Sequence, residues 1–241
     1  VLTPIWVAKP ETARRVRQRT RTVLRWCQAH EYVEHNMAGE SIDGALPPQP
    51  KVKNHFRALH YLEVPEALET VDATKAAAAS KLALRFAVLT AARPGEALGC
   101  RWSEIDMDAA ERRIPGDRMK AGAEHRVPLS TAALDVLDLA KGIYDGSDLV
   151  FPSPLKPGCE LSNMTLTKVL RDCGLAERAT VHGFRASFRT WALEQTDAPW
   201  AVAEAALSHT LGDSTTMAYI RGDAYDQRRE LMQRWADFLE S

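Results

Sequence analysis

The sequence predicts a mainly α-helical protein with one small antiparallel β-sheet, an α+β chain built in two parts. Three observations carry this expectation. Apolar residues recur at helical spacing through most of the 241 residues. Strand-like patterning is confined to one stretch, "RRIPGDRMKAGAEHRVPLS". Between a basic first segment and the rest, "SIDGALPPQPKVKNH" breaks all periodicity with one Gly and three Pro, as a linker does.

The first element is "KPETARRVRQRTRTVLRWCQAH". Pro10 suits a first helical position, and Val16, Thr20, Val23, Leu24 and Cys27 form an apolar face. Arg14, Arg17, Arg21 and Arg25 follow steps of three, four and four and so share a separate stripe. No glutamate is interleaved at ion-pair spacing, which makes phosphate contact a rival to a merely solvated face. Beyond the linker, helices are expected at 65–71, 74–92, 94–101 and 131–141. Short strands at 111–116 and 125–129 flank a turn carrying Lys120. Further helices follow at 162–173, 183–195 and 199–208, then a short one around 214–220 and a last one at 223–240. In that last helix Leu231, Trp235, Phe238 and Leu239 make a stripe that must dock on an apolar surface.

Composition excludes several classes. Hydrophobic content of 45% and charged content of 26% are those of a globular domain. The most apolar window, "AAAASKLALRFAVLTAA", contains Lys81 and Arg85 and reads as a buried helix, so no membrane partner is expected. Cys27, Cys100, Cys159 and Cys173 lack any C-x-x-C spacing and fit reduced thiols. Cys27, His30 and His35 lack a fourth ligand for a zinc corner, and "DMDAAERRIPGD" lacks the glycine of a calcium loop, so no metal is expected. The net charge is −1, but residues 1–30 carry +6 and the remainder −7. A basic segment on a mildly acidic body points to a local anionic partner. Val1 follows neither an initiator Met nor a signal-peptide pattern, which fits a piece of a longer protein.

Four stretches carry polar residues that packing does not need. "TAARPGEALGCRW" sets Arg93 before Pro94 at a helix start, and "VHGFRASFRTW" sets His182 and Arg185 three apart at another. "DRMKAGAEHRVPLS" places Lys120 on the turn, and "ALSHTLGDSTTMAYIRGD" puts His209 and Tyr219 ten residues apart. Each alone reads as a surface cation, a helix cap or a core tyrosine. Together they suit attack on a phosphodiester. Two guanidiniums at helix starts hold the charge that grows on the non-bridging oxygens. A phenol with a reference pKa near 10 needs an imidazole to take its proton, and a departing alkoxide needs a proton donor such as lysine.

In order and approximate spacing, "ARPGE", "RMK…EHRVPLS", "HGFR", "LSH" and "AYIRGD" resemble the catalytic domain of tyrosine recombinases, the phage-integrase family. The resemblance covers residues 60–241, and the tail looks most like prophage and genomic-island integrases. Residues 1–42 are similar to the end of the helical core-binding domain of such proteins, with 43–59 as linker. What the resemblance implies is a tyrosine-recombinase fold and a metal- and ATP-independent DNA strand transferase without cofactor. Arg93 and Arg185 become the phosphate clamp, Glu96 the support of Arg93, Lys120 the general acid and His182 the base or proton relay. His209 bonds a phosphate oxygen, and Tyr219 is the nucleophile that forms a 3′-phosphotyrosyl bond. Arg14, Arg17, Arg21 and Arg25 are candidate DNA contacts. The implied partners are double-stranded attachment sites and further copies in a tetramer on DNA, with host DNA-bending and excisionase proteins as candidate accessories in a bacterial cytoplasm.

Many family members place the tyrosine nine residues after the second histidine; here the gap is ten, as the prophage subgroup tolerates. Tyr225 fits worse because it falls inside the last helix. The alternatives are a topoisomerase-like nicking and resealing activity and a non-catalytic DNA-binding relic. A Ser-His hydrolase built on "LSH" is set aside for want of G-x-S-x-G.

Overall fold

The computed structural model describes residues 2–49, 57–119, 122–209 and 224–241. Lys120, Tyr219 and the helix expected around 214–220 lie outside the described residues. The chain divides into two compact units, Val1–His55 and Phe56–Ser241. No described helix is long and apolar enough to cross a membrane.

The first unit is a short helix α1 (Thr3–Trp6), a long helix α2 (Pro10–Ala29) and a 3₁₀ turn at Glu40–Ala45. Pro10 starts α2 as expected, since its missing N–H is one a helix start leaves unbonded anyway. The segment after the 3₁₀ turn folds back. Trp6 Nε1 donates to Pro47 O at 2.7 Å, and Gln49 Nε2 donates to Trp6 O at 2.8 Å. Residues 43–49, read from the sequence as linker, therefore pack within this unit. The apolar face of α2 is only partly covered: Ala13 is buried, but Val23 and Trp26 are exposed.

The second unit is built around α4 (Ala78–Leu89), whose Ala83, Leu84, Phe86, Val88 and Leu89 are buried. Around it lie α3 (Val64–Asp72), α5 (Pro94–Leu98), α6 (Thr131–Lys141) and α7 (Thr165–Asp172). The remaining described helices are α8 (Gly183–Gln195), α9 (Trp200–Ala206) and α10 (Tyr225–Glu240). The stripe of α10 docks on its own unit: Trp235 is fully buried, donates Nε1 to Val88 O at 3.0 Å and packs on Phe188, Trp191 and Phe238.

The expected strands form an antiparallel sheet of β1 (Ile105–Asp106), β2 (Glu111–Ile114) and β3 (His125–Pro128), in that order. Glu111 pairs with Pro128 and Ile114 with His125, so the turn between β2 and β3 begins after Ile114. A buried carboxylate fastens this hairpin. Glu104 ion-pairs with Arg112 on β2 at 2.9 Å and with Arg118 beyond it, while Arg118 also donates to Gly99 O at 2.5 Å. A second hairpin, β4 (Pro152–Ser153) with β5 (Lys156–Glu160), has no counterpart in the sequence expectation. Its strands carry two prolines and β5 is exposed along its whole length, so no apolar alternation marks it.

Candidate active site

Arg93 is placed by the end of α4 and the start of α5. After Thr90 the backbone turns left-handed at Ala91 (φ 48°), and Arg93 is extended (φ −67°, ψ 147°), the conformation a following proline imposes. Glu96 then holds Arg93 twice. Its carboxylate accepts from Arg93 N at 2.9 Å and from Nη1 at 2.7 Å. The other terminal nitrogen, Nη2, donates to Ser208 O at 2.9 Å.

Arg185 sits in the first turn of α8, whose entry is fixed by Gly183. A Cβ at that position would run into the carbonyl oxygen of Arg57, so only glycine permits the approach. The Arg185 side chain is buried. Nη1 donates to Ala91 O at 2.5 Å and Nη2 to Leu207 O at 2.7 Å, with His209 Nε2 at 3.2 Å from Nη2. Burial, then the like charge of Arg93, pushes its pKa down to about 10, which leaves it cationic at neutral pH. Its Nε has no hydrogen-bond partner among the described residues, a buried donor that an incoming oxygen could satisfy.

Two left-handed, non-glycine residues supply carbonyls here. Ala91 O accepts from Arg185 and Ser208 O from Arg93, and Ser208 also has φ 50°. Strain of this kind costs on the order of 1–3 kcal/mol per residue and persists where the surroundings impose it. The outcome is that Leu207, Ser208 and His209 gather two arginines distant in sequence.

His182 caps α8 and is half-buried. Burial, then Arg185, Arg93 and His209 in that order, hold its imidazole below the ordinary 6.5, so it is neutral at physiological pH. His209 is oriented by α9: its Nδ1 lies 2.8 Å from Glu204 Oε2, and its backbone N–H donates to Glu204 O at 3.0 Å. The second oxygen of Glu204 accepts from Arg189 Nε. Glu204 and Arg189 escaped sequence reasoning. The available signal was an acidic residue alone in "WAVAEAA", a helix otherwise apolar.

Among the predicted residues, then, Arg93, Glu96, His182, Arg185 and His209 come together. Tyr225, the rejected alternative nucleophile, is engaged elsewhere. Its ring lies beneath Arg126 (4.3 Å), Arg229 (5.2 Å) and Arg228 (5.5 Å), and burial, then its hydrogen bond to Glu111, pushes the phenol pKa up. In the first unit three of the four stripe arginines find partners within the unit, and only Arg17 is mostly buried. Arg17 pairs with Asp43 at 2.5 Å and donates to Gly39 O, Arg21 pairs with Glu40 at 3.4 Å, and Arg14 donates to Gln49 at 2.7 Å. Glu11 on the helix itself lies 3.9 Å from Arg14, the acidic partners of Arg17 and Arg21 come from residues 40–43, and of the four only Arg25 has no such contact among the described residues. No cluster of three or more potential metal ligands exists among the described residues, and His30 stacks on Trp26 instead.

A model of the "Phage integrase family" matches residues 57–225, and one of the "Phage integrase central domain" matches 1–43. The chain belongs to the phage integrase family. Prophage integrase IntA of Escherichia coli (strain K12) is 34% identical over 232 residues, 96% of this chain and 55% of that protein. The chain spans about half the length of the curated relatives it matches. Its fold is that of the lambda integrases. A dimer bound to a COC′ core site aligns with a TM-score of 0.61 at 22% identity, over 87% of this chain and 75% of that one. A tetramer bound to a Holliday junction aligns at 0.58 and 19%, over 90% and 61%.

Proposed function

We propose that this phage-integrase chain is the catalytic portion of a site-specific recombinase that cuts and rejoins DNA strands through a 3′-phosphotyrosyl intermediate. The observation that carries this reading is the convergence of Arg93 and Arg185 on the carbonyls of Leu207 and Ser208, directly beside His209. Two guanidiniums and an imidazole in that arrangement suit a scissile phosphate whose oxygens gain charge as the phosphorus becomes five-coordinate.

In this reading the Tyr219 hydroxyl attacks phosphorus and its proton passes to neutral His182. The P–O bond to the 5′ oxygen breaks, and Lys120 protonates that leaving alkoxide. The phosphotyrosyl bond conserves the energy of the broken one, so a 5′-hydroxyl from another strand can reverse the step without ATP. The substrates are double-stranded attachment sites, exchanged by four protomers on DNA. DNA-bending and excisionase proteins are the accessory factors, and the bacterial nucleoid is the place of action.

A nicked suicide duplex carrying the core site of the element that encodes the chain tests this. Wild type and Tyr225→Phe are expected to leave a covalent protein–DNA band on a denaturing gel, while Tyr219→Phe and Arg93→Ala leave none. A band that survives Tyr219→Phe, or one that depends on added magnesium, refutes the mechanism.

A further inference from the structure

The contacts of His209 determine where its proton lies. Arg185 has only donors to offer, so the ring nitrogen facing Nη2 at 3.2 Å, Nε2, must present its lone pair. Glu204 already accepts from Arg189 through its other oxygen and faces Nδ1 at 2.8 Å, so Nδ1 carries the hydrogen. The two contacts are mutually consistent for one tautomer only.

That tautomer has a consequence at the site. A phosphate oxygen accepts hydrogen bonds, and so does a bare Nε2. For His209 to bond a phosphate oxygen, Nε2 must therefore take up a proton and the ring become a cation. The charged groups around it are mostly cationic: Arg185 and Arg189 on α8 and Arg93 before α5, with Glu96 bound to Arg93, while His182 at the cap of α8 is neutral. Glu204, buried on α9 and in direct contact with the ring, is the counter-charge that such a cation would find.

We propose that Glu204 is the positioning residue of His209. It keeps a proton on Nδ1, aims Nε2 at the clamp, and balances the charge when Nε2 is protonated toward phosphate. The proposal rests on the recombinase reading for its effect on cleavage, but the tautomer is independent of that reading.

Two measurements test it. In the full chain labelled with nitrogen-15 histidine, the His209 signals, assigned by their loss in His209→Ala, are expected to show Nδ1 protonated and Nε2 bare in the neutral ring. Glu204→Gln is expected to give a mixture of tautomers. On the suicide duplex, Glu204→Gln is expected to slow cleavage by about 10- to 100-fold, by analogy with the loss of a partner that orients a metal-bound imidazole. The loss should vanish when Glu204→Gln is introduced into His209→Ala, because a residue acting through His209 has nothing further to remove there. Glu204→Asp keeps a buried carboxylate for Arg189 but withdraws it from Nδ1, so it should show the same pattern even if the glutamine variant folds poorly. A wild-type ring with its proton on Nε2, unimpaired cleavage by both variants, or a loss that persists in full without His209 each overturns the proposal. If His209→Ala alone cleaves normally, the role given to His209 fails, and the tautomer still decides whether Glu204 holds Nδ1.

Discussion

His182 illustrates how a charge is tuned by neighbours that the sequence places far away. Burial, Arg185, Arg93 and His209 all disfavour its protonation, and this suits the role proposed for it, accepting a proton from a phenol. In the free protein its imidazole is expected to titrate below 6.5 by NMR. Arg93→Ala removes one like charge, so the midpoint should move up; an unmoved midpoint would show that the two groups are not coupled as the structure has them. The sign for stability follows. A histidine with a depressed folded-state pKa favours folding above the unfolded value of 6.5, and that contribution is lost as pH falls toward the folded one. Not all of this was legible in the sequence. The identities of Arg93, Glu96, His182, Arg185 and His209 were readable because each lies in a short pattern with chemical meaning. The carbonyl acceptors were not, because the left-handed turns that aim them occur at Ala91 and Ser208, residue types that announce nothing, whereas Gly183 at least marks a close approach.

At the scale of elements, helices were legible wherever an apolar stripe and an end signal coincided, as in α2, α8 and α10. The β4–β5 hairpin was illegible because its exposed, proline-bearing strands bury no alternating face. The arginine stripe of α2 shows the limit of reasoning within one helix. Spacing identified four cations on one side but could not foresee that the segment after the helix would return with Asp43 and Glu40. The structure therefore separates the stripe into roles. Arg17, mostly buried, helps hold the first unit together, and its guanidinium keeps the Asp43 carboxyl below the usual range. Arg25 is exposed and makes no such contact among the described residues. If α2 meets DNA as its sequence suggests, Arg25→Ala should reduce the slope of log affinity against log salt by about one, the loss of a single phosphate contact. Arg17→Ala should leave that slope unchanged and instead lower the unfolding midpoint. Fluorescence anisotropy over a salt series, with thermal melts of the same variants, checks both; equal slope changes for the two would return the whole stripe to the DNA face.

For the molecule as a whole, the decisive element is the last helix. The sequence required its stripe to be buried but could not choose between its own chain and a neighbouring copy. In the structure α10 closes its own second unit. Trp235 lies among Phe188, Trp191 and Phe238, donates to the carbonyl of Val88 in the central helix, and so ties the chain end to both α4 and α8. The same α8 carries Arg185, so the integrity of the proposed clamp depends on a helix that follows Tyr219, the proposed nucleophile, in sequence. Removing that indole opens a large cavity and takes one of two donors from the Val88 carbonyl, which keeps the Ala91 N–H at 3.2 Å. Trp235→Ala is expected to cost about 3–5 kcal/mol in unfolding free energy, measured by denaturant titration. Because the helix docks within one chain, the melting temperature of wild type should not change with protein concentration, as it would if a partner supplied α10. Cleavage of the suicide duplex should fall with the folded fraction of Trp235→Ala and return on cooling. A concentration-dependent melt, or full stability without the indole, would mean that the helix finds its apolar surface on another copy.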